Sequence, residues 1–165
     1  MPDFPLYLRN RITSVEVLDD TTLLSTCRLT DTLTEAVVEL RVQLPDLEVV
    51  GASGRFIRSE QEACGDIRAA LQKMIGVRIG SGLLKIIQGL ISEASACELL
   101  PYMVEEACQA VILSFTKDTL TAAPKDQDLG PEIFREMVKA NIRLYNRCAA
   151  FAPGSSIVEG IEPPK

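Results

Sequence analysis

The chain has 165 residues, 47% of them hydrophobic and 24% charged, the balance of an ordinary folded domain and not of a disordered segment. Its formal net charge of -6, with no basic stripe, argues against nucleic-acid and anionic-membrane partners, because both draw affinity from clustered Lys and Arg. The absence of His removes Ser/His/Asp and Cys/His catalysis, His-ligated zinc, and the usual general base at neutral pH.

The first residues, Met1-Pro2-Asp3-Phe4-Pro5, lack the basic and apolar regions of a secretory signal. No apolar run reaches the roughly 18 to 20 residues that a spanning helix needs. A cytoplasmic protein is the expectation. The 5 cysteines are an odd number, and with no signal peptide they read as reduced thiols instead of a disulfide framework.

In chain order, segments 12–18 and 22–29 flank Asp19-Asp20-Thr21 and read as a hairpin. Segment 34–44 alternates strictly, with Val38, Leu40, Val42 and Leu44 on one face and Glu39, Arg41 and Gln43 on the other, as a half-buried antiparallel strand requires. Its partner is 47–57, reached through a turn at Pro45-Asp46. Four strands in succession predict a meander.

At Ser59 the period turns helical. Ser59 with Glu62 fits a capping box, and Cys64, Ile67, Leu71, Met74 and Ile75 form one stripe ending at Gly76. A second helix over 81–91 carries Leu83, Leu84, Ile86, Ile87, Leu90 and Ile91, an arc too wide for a surface helix, and is expected to be the most buried element. A third carries Leu100, Met103, Val104, Ala107, Cys108, Val111, Ile112 and Phe115. Its start is open between a capping box at Ser95 and Glu98, which would put Pro101 inside the helix, and a start near Leu100. Residues 117–130 read as a loop, and Pro131 opens a last helix to about Cys148. The expectation is an α+β fold, with an antiparallel β-meander of about four strands packed against about four C-terminal helices. Residues 1–150 form one domain in this reading, and 151–165, rich in Pro, Gly and Ser, form a flexible tail.

The run Gly76-Val77-Arg78-Ile79-Gly80-Ser81-Gly82 precedes a helix but matches neither dinucleotide nor phosphate-loop spacing, since Lys85 stands where a third glycine belongs. A tight connection between helices is the better reading. Cys64, Cys97, Cys108 and Cys148 fall on or beside apolar stripes, where a cysteine packs as a small hydrophobe. Cys97 differs by lying in the first turn of a helix, where the dipole favours a thiolate. No Cys-x-x-Cys pair occurs, so only a site assembled from separate helices can hold metal.

Arg9 to Ile12, Cys64, the run from Ile75 to Leu83, Ala96-Cys97-Glu98-Leu99-Leu100 and Asn146-Arg147-Cys148, in that order, resemble the bacterial family catalogued as domain of unknown function 2889. The resemblance spans about 9–151. It implies that Cys64, Cys97 and Cys148 match three family cysteines. Leu99 and Ala149 stand where imidazoles are expected, so a function shared with typical members is in doubt.

Three thiols on three helices would suit zinc with an open position, or an iron–sulfur cluster, with Cys64, Cys97 and Cys148 as ligands. Three expectations follow. The first is an accessory or small-molecule-binding domain, with or without that metal site. The second is a thiol-dependent enzyme with Cys97 as nucleophile. The third is an interaction module that works with a protein partner or as a homo-oligomer.

Overall fold

The computed structural model describes residues 6–59, 67–80, 82–92, 97–117, 121 and 130–164. The fold is α+β: a four-stranded antiparallel sheet in the first part of the chain, followed by helices. The chain divides into two compact units, Met1–Val111 and Ile112–Lys165.

In the first unit, β1 (Arg9–Asp19), β2 (Thr22–Asp31), β3 (Glu35–Gln43) and β4 (Glu48–Arg58) pair in sequence order. The register follows from the alternation. Leu23 faces Val42, Ser25 faces Leu40, Cys27 faces Val38 and Leu29 faces Ala36, while Leu40 faces Ala52 and Val38 faces Gly54. Leu29, Leu40, Val42 and Val49 are fully buried, so slipping any central strand by one residue would send this apolar set to water. β1 is one edge strand, and every residue of it is exposed except the half-buried Val15.

The turn after β3 contains a cis Leu44-Pro45 bond, and Leu47 has a φ of 55°. Helix α1 (Ile67–Gln72) lies on β4, where Gln72 Nε2 donates to the Ala52 carbonyl at 3.1 Å. That approach needs glycine at position 54. A Cβ there would stand 2.7 Å from Leu71 Cδ1 and 3.0 Å from the Val37 carbonyl oxygen. Of the expected stripe, Leu71 and Met74 are buried but Ile75 is exposed. The Ser59 capping box rests on Glu62, and Glu62 and Cys64 lie outside the described residues.

Gly76, with a φ of 88°, turns the chain back, and the glycine-rich connection then runs antiparallel to the start of β4. Gly76 N–H donates to the Val49 carbonyl at 2.8 Å, Val49 N–H to Val77 at 2.9 Å and Ile79 N–H to Leu47 at 2.9 Å. Residues 76–79 therefore line a sheet edge as a connection between helices, and Ser81 of the run lies outside the described residues.

Helix α2 (Leu83–Ile87) passes into a π turn over Gln88–Ser92. Leu83, Ile87 and Ile91 are buried, but Leu84 and Ile86 are exposed and Leu90 is half-buried. The expectation that this would be the most buried element is therefore corrected. Residues spaced four apart line one face of a helix, and only that face is covered here.

Helix α3 (Leu99–Ser114) has Pro101 in its first turn, where a helix has N–H groups without intrahelical partners and the missing donor costs nothing. The helix thus starts near Leu100, and Ser95 of the alternative capping box lies outside the described residues. Leu100, Met103, Val104, Ala107, Cys108, Val111 and Ile112 are all buried, whereas Phe115 is exposed and leaves the expected core. The buried Ser25 hydroxyl donates to the Ala107 carbonyl at 2.7 Å and ties this helix to β2.

In the second unit, Pro131 opens α4 (Pro131–Ala140). The helix stops well short of Cys148, because Asn141 leaves helical geometry at φ -134° and ψ 84°, and a 3-10 turn over Ile142–Leu144 follows. Ile112, Met137, Val138, Leu144 and Val158 are the buried apolar residues of this unit among the described residues. The segment expected as a tail is a run of turns from 153 to 160. Arg135 reaches it, donating to the Ser156 carbonyl at 2.7 Å and to Ile157 at 3.3 Å. Most of the expected 117–130 loop lies outside the described residues.

Candidate functional site

Two helical stripes of the first unit face one another across a cleft of about 410 Å³. One wall is Leu84, Ile87, Gln88 and Ser92, from α2 and the π turn. The other is Cys97, Glu98, Pro101, Tyr102 and Glu105, from the start of α3. The spacing 98, 101, 102, 105 is the i, i+3, i+4, i+7 repeat that keeps side chains on one helix face. Leu84 and Ile87 answer with a spacing of three. A π turn widens the backbone beside this wall, a departure from α geometry that often accompanies functional sites.

Cys97 stands on the cleft wall but is itself buried, with 1% of its surface exposed. Tyr102 is partly exposed, and the Arg11 guanidinium lies 4.6 Å from its ring centroid, close enough for a cation–π contact. Arg11 also approaches Glu106 at 3.5 Å. Below them, burial pushes the Cys27 thiol up to about 11, helped by the nearby Glu106 carboxylate and opposed by Arg11. Cys27 is therefore a protonated, inert core residue.

The three cysteines singled out in the sequence have different fates. Cys64 lies outside the described residues. Cys97 belongs to the first unit and Cys148 to the second, where Cys148 lies beyond α4, exposed, in the bend before the 3-10 turn Ala149–Phe151. Among the described residues, no three Cys, Asp or Glu side chains are placed to hold a metal ion. The described donors thus do not form a zinc or cluster site.

The exposures set an order of reactivity. Cys148 is expected to react rapidly with iodoacetamide in the native protein, whereas Cys27, Cys97 and Cys108, all buried, should react only after unfolding in urea. Peptide mapping of the labelled chain checks this. Native labelling of Cys97 as fast as that of Cys148 would show that the thiol is open to the cleft.

A second recess, of about 480 Å³, is lined by Leu24, Glu39, Arg41, Gly51, Ala52, Ser53, Gln72 and Ile75. Glu39 accepts a hydrogen bond from Ser53 at 3.2 Å, and the aliphatic stem of Arg41 lies over Gly51. Glu39 and Ser53 are thus engaged with each other, and Gln72 with the Ala52 carbonyl, which favours the Cys97 cleft as the candidate.

No helix among the described residues is long and apolar enough to cross a membrane. The chain matches no family model, no curated protein and no solved structure.

Proposed function

We propose that the chain is a cytoplasmic, non-enzymatic accessory domain of the family catalogued as domain of unknown function 2889, and that its first unit binds a small molecule in the cleft beside Cys97. The observation that carries this reading is the cleft itself. Its volume of about 410 Å³ falls in the range of small-molecule sites, and a few polar groups stand among Leu84, Ile87, Pro101 and Tyr102, the usual composition of such sites. Exposed Leu84 gains a purpose as a wall of this recess. The net charge of -6 supports a partner that is neither nucleic acid nor an anionic membrane.

A thiol-dependent reaction at Cys97 is the second reading, favoured by the place of Cys97 on the cleft wall. It would need a proton acceptor other than His, of which the chain has none. Replacing the thiol separates the two, since binding survives Cys97→Ser in the first reading and turnover is lost in the second.

The binding reading is tested by titrating a panel of short-chain alcohols, amines and carboxylates into the ¹⁵N-labelled chain. At least one probe should shift the amides of Leu84, Gln88, Glu98, Tyr102 and Glu105 saturably. The exposed Gln88 replaced by Trp should abolish those shifts by filling the cleft. Shifts absent from this set for every probe, or unchanged in Gln88→Trp, would refute the proposal.

A further inference from the structure

Among its described lining residues the cleft carries two carboxylates, Glu98 and Glu105, and no cationic side chain. Neither carboxylate has an ion-pair partner among the described residues, although the neighbouring Glu106 pairs with Arg11 at 3.5 Å, Asp31 pairs with Arg9, and Asp46 and Glu48 share Arg78. An unpaired surface carboxylate is ordinary. Two on one wall of a concave, otherwise largely apolar recess act together, because the low-dielectric walls focus their field and concentrate cations. At 1.5 Å of rise per residue, seven residues separate them by about 10 Å along the helix, with Pro101 and Tyr102 between. Arg11 already covers the Tyr102 ring, so attraction for a ligand's charge falls to the carboxylates.

We infer that the cleft selects an organic cation, specifically a primary alkylammonium whose chain lies against Leu84, Ile87 and Pro101 and whose ammonium donates to Glu98 or Glu105. The inference rests on the cleft being a binding site as proposed above and adds the class of ligand. No bond is made or broken in it. The ammonium keeps its proton, the carboxylates stay ionised, and the apolar chain leaves water for the recess.

The test compares n-hexylammonium, 1-hexanol and hexanoate, which share a chain and differ in charge, by amide-shift titration of the full chain. Hexylammonium should bind about tenfold or more tighter than hexanoate, and its affinity should fall as salt is raised. Glu98→Gln and Glu105→Gln should each weaken it by roughly threefold, and the double variant by about tenfold. Both positions reach the surface, so the amide spectrum of each variant should otherwise match the parent and confirm the fold. Hexanol or hexanoate binding the same amides as tightly, or the double variant binding hexylammonium unchanged, would overturn the charge selection while leaving the cleft as a binding site. Failure of all three probes, and of the wider panel, to shift these amides would overturn both.

Discussion

Leu40→Ala should lower the free energy of unfolding by about 2 to 5 kcal/mol, measured as a shift of the urea midpoint with little change of slope. Leu40 is fully buried at the centre of β3, paired with Ser25 on one side and Ala52 on the other. Its two neighbours are small, so no larger side chain stands ready to collapse into the space, which places the cost toward the upper part of that range. Leu90→Ala should cost much less, because Leu90 is only half-buried in the π turn and loses less contact. A Leu40→Ala protein as stable as the parent would mean that the sheet face is not the core of the first unit.

The second large effect concerns Asp31, at the end of β2. Its carboxylate is almost completely buried and accepts hydrogen bonds from Arg9 Nε at 3.0 Å, Arg9 Nη2 at 2.6 Å and Tyr7 Oη at 3.1 Å. The backbone amides of Leu33 at 2.9 Å and Thr34 at 2.6 Å donate to its other oxygen. One side chain thus closes the β2–β3 turn and fastens the edge strand's entry to it. Burial alone would raise the carboxyl's pKa, but Arg9, the two amides and Tyr7 outweigh it and bring Asp31 from 3.8 down to about 2.

Because the folded value is the lower one, ionised Asp31 stabilises the protein above about pH 4, and that contribution is lost as the pH falls toward 2. The Arg9 partner is half-exposed, so solvent screens the pair and the pH-dependent part is about 1 kcal/mol. Asp31→Ala also strands the two turn amides and should cost about 2 to 3 kcal/mol at pH 7. Urea titrations at pH 7 and pH 2.5 check both statements. The parent should lose part of its margin over the variant at the lower pH, and an unchanged difference would show that the carboxylate carries no such linkage.

Much of the architecture was legible in the residue pattern, and the reasons are specific. The alternation through Val38, Leu40 and Val42 can satisfy a buried face in only one register, so β3 and its partners lie within a few residues of their expected positions. Helix α3 was equally plain, since its apolar residues repeat on one face and all but the last, Phe115, are buried. The end of α4 was not legible. Nothing in Asn141 forbids a helix, and its extended geometry is set by tertiary surroundings, including an amide that donates to the Ile112 carbonyl at 3.4 Å.

The cleft was partly visible as a contradiction. The arc of Leu83, Leu84, Ile86, Ile87, Leu90 and Ile91 was too wide for one buried stripe, and it was read as full burial when Leu84 in fact borders a recess. On the opposing wall, the spacing of Glu98, Pro101, Tyr102 and Glu105 was available in the sequence. An acidic helix face is normally just a solvated one, so that spacing does not by itself mark a site. Only the juxtaposition of the two walls distinguishes a site from a surface, and local periodicity carries no information about which helices meet. Cys97, expected in the first turn of a helix, instead stands two residues ahead of α3, and it marks the cleft wall.

An isotope-filtered NOE experiment on the 165-residue chain with n-hexylammonium bound tests the placement of the ligand most directly. Contacts from the hexyl chain to the side chains of Leu84, Ile87 and Tyr102 are expected in the wild-type protein, and their loss in Gln88→Trp. Contacts confined to residues outside the cleft, such as the exposed Ile12 and Val17 of β1, would contradict that placement.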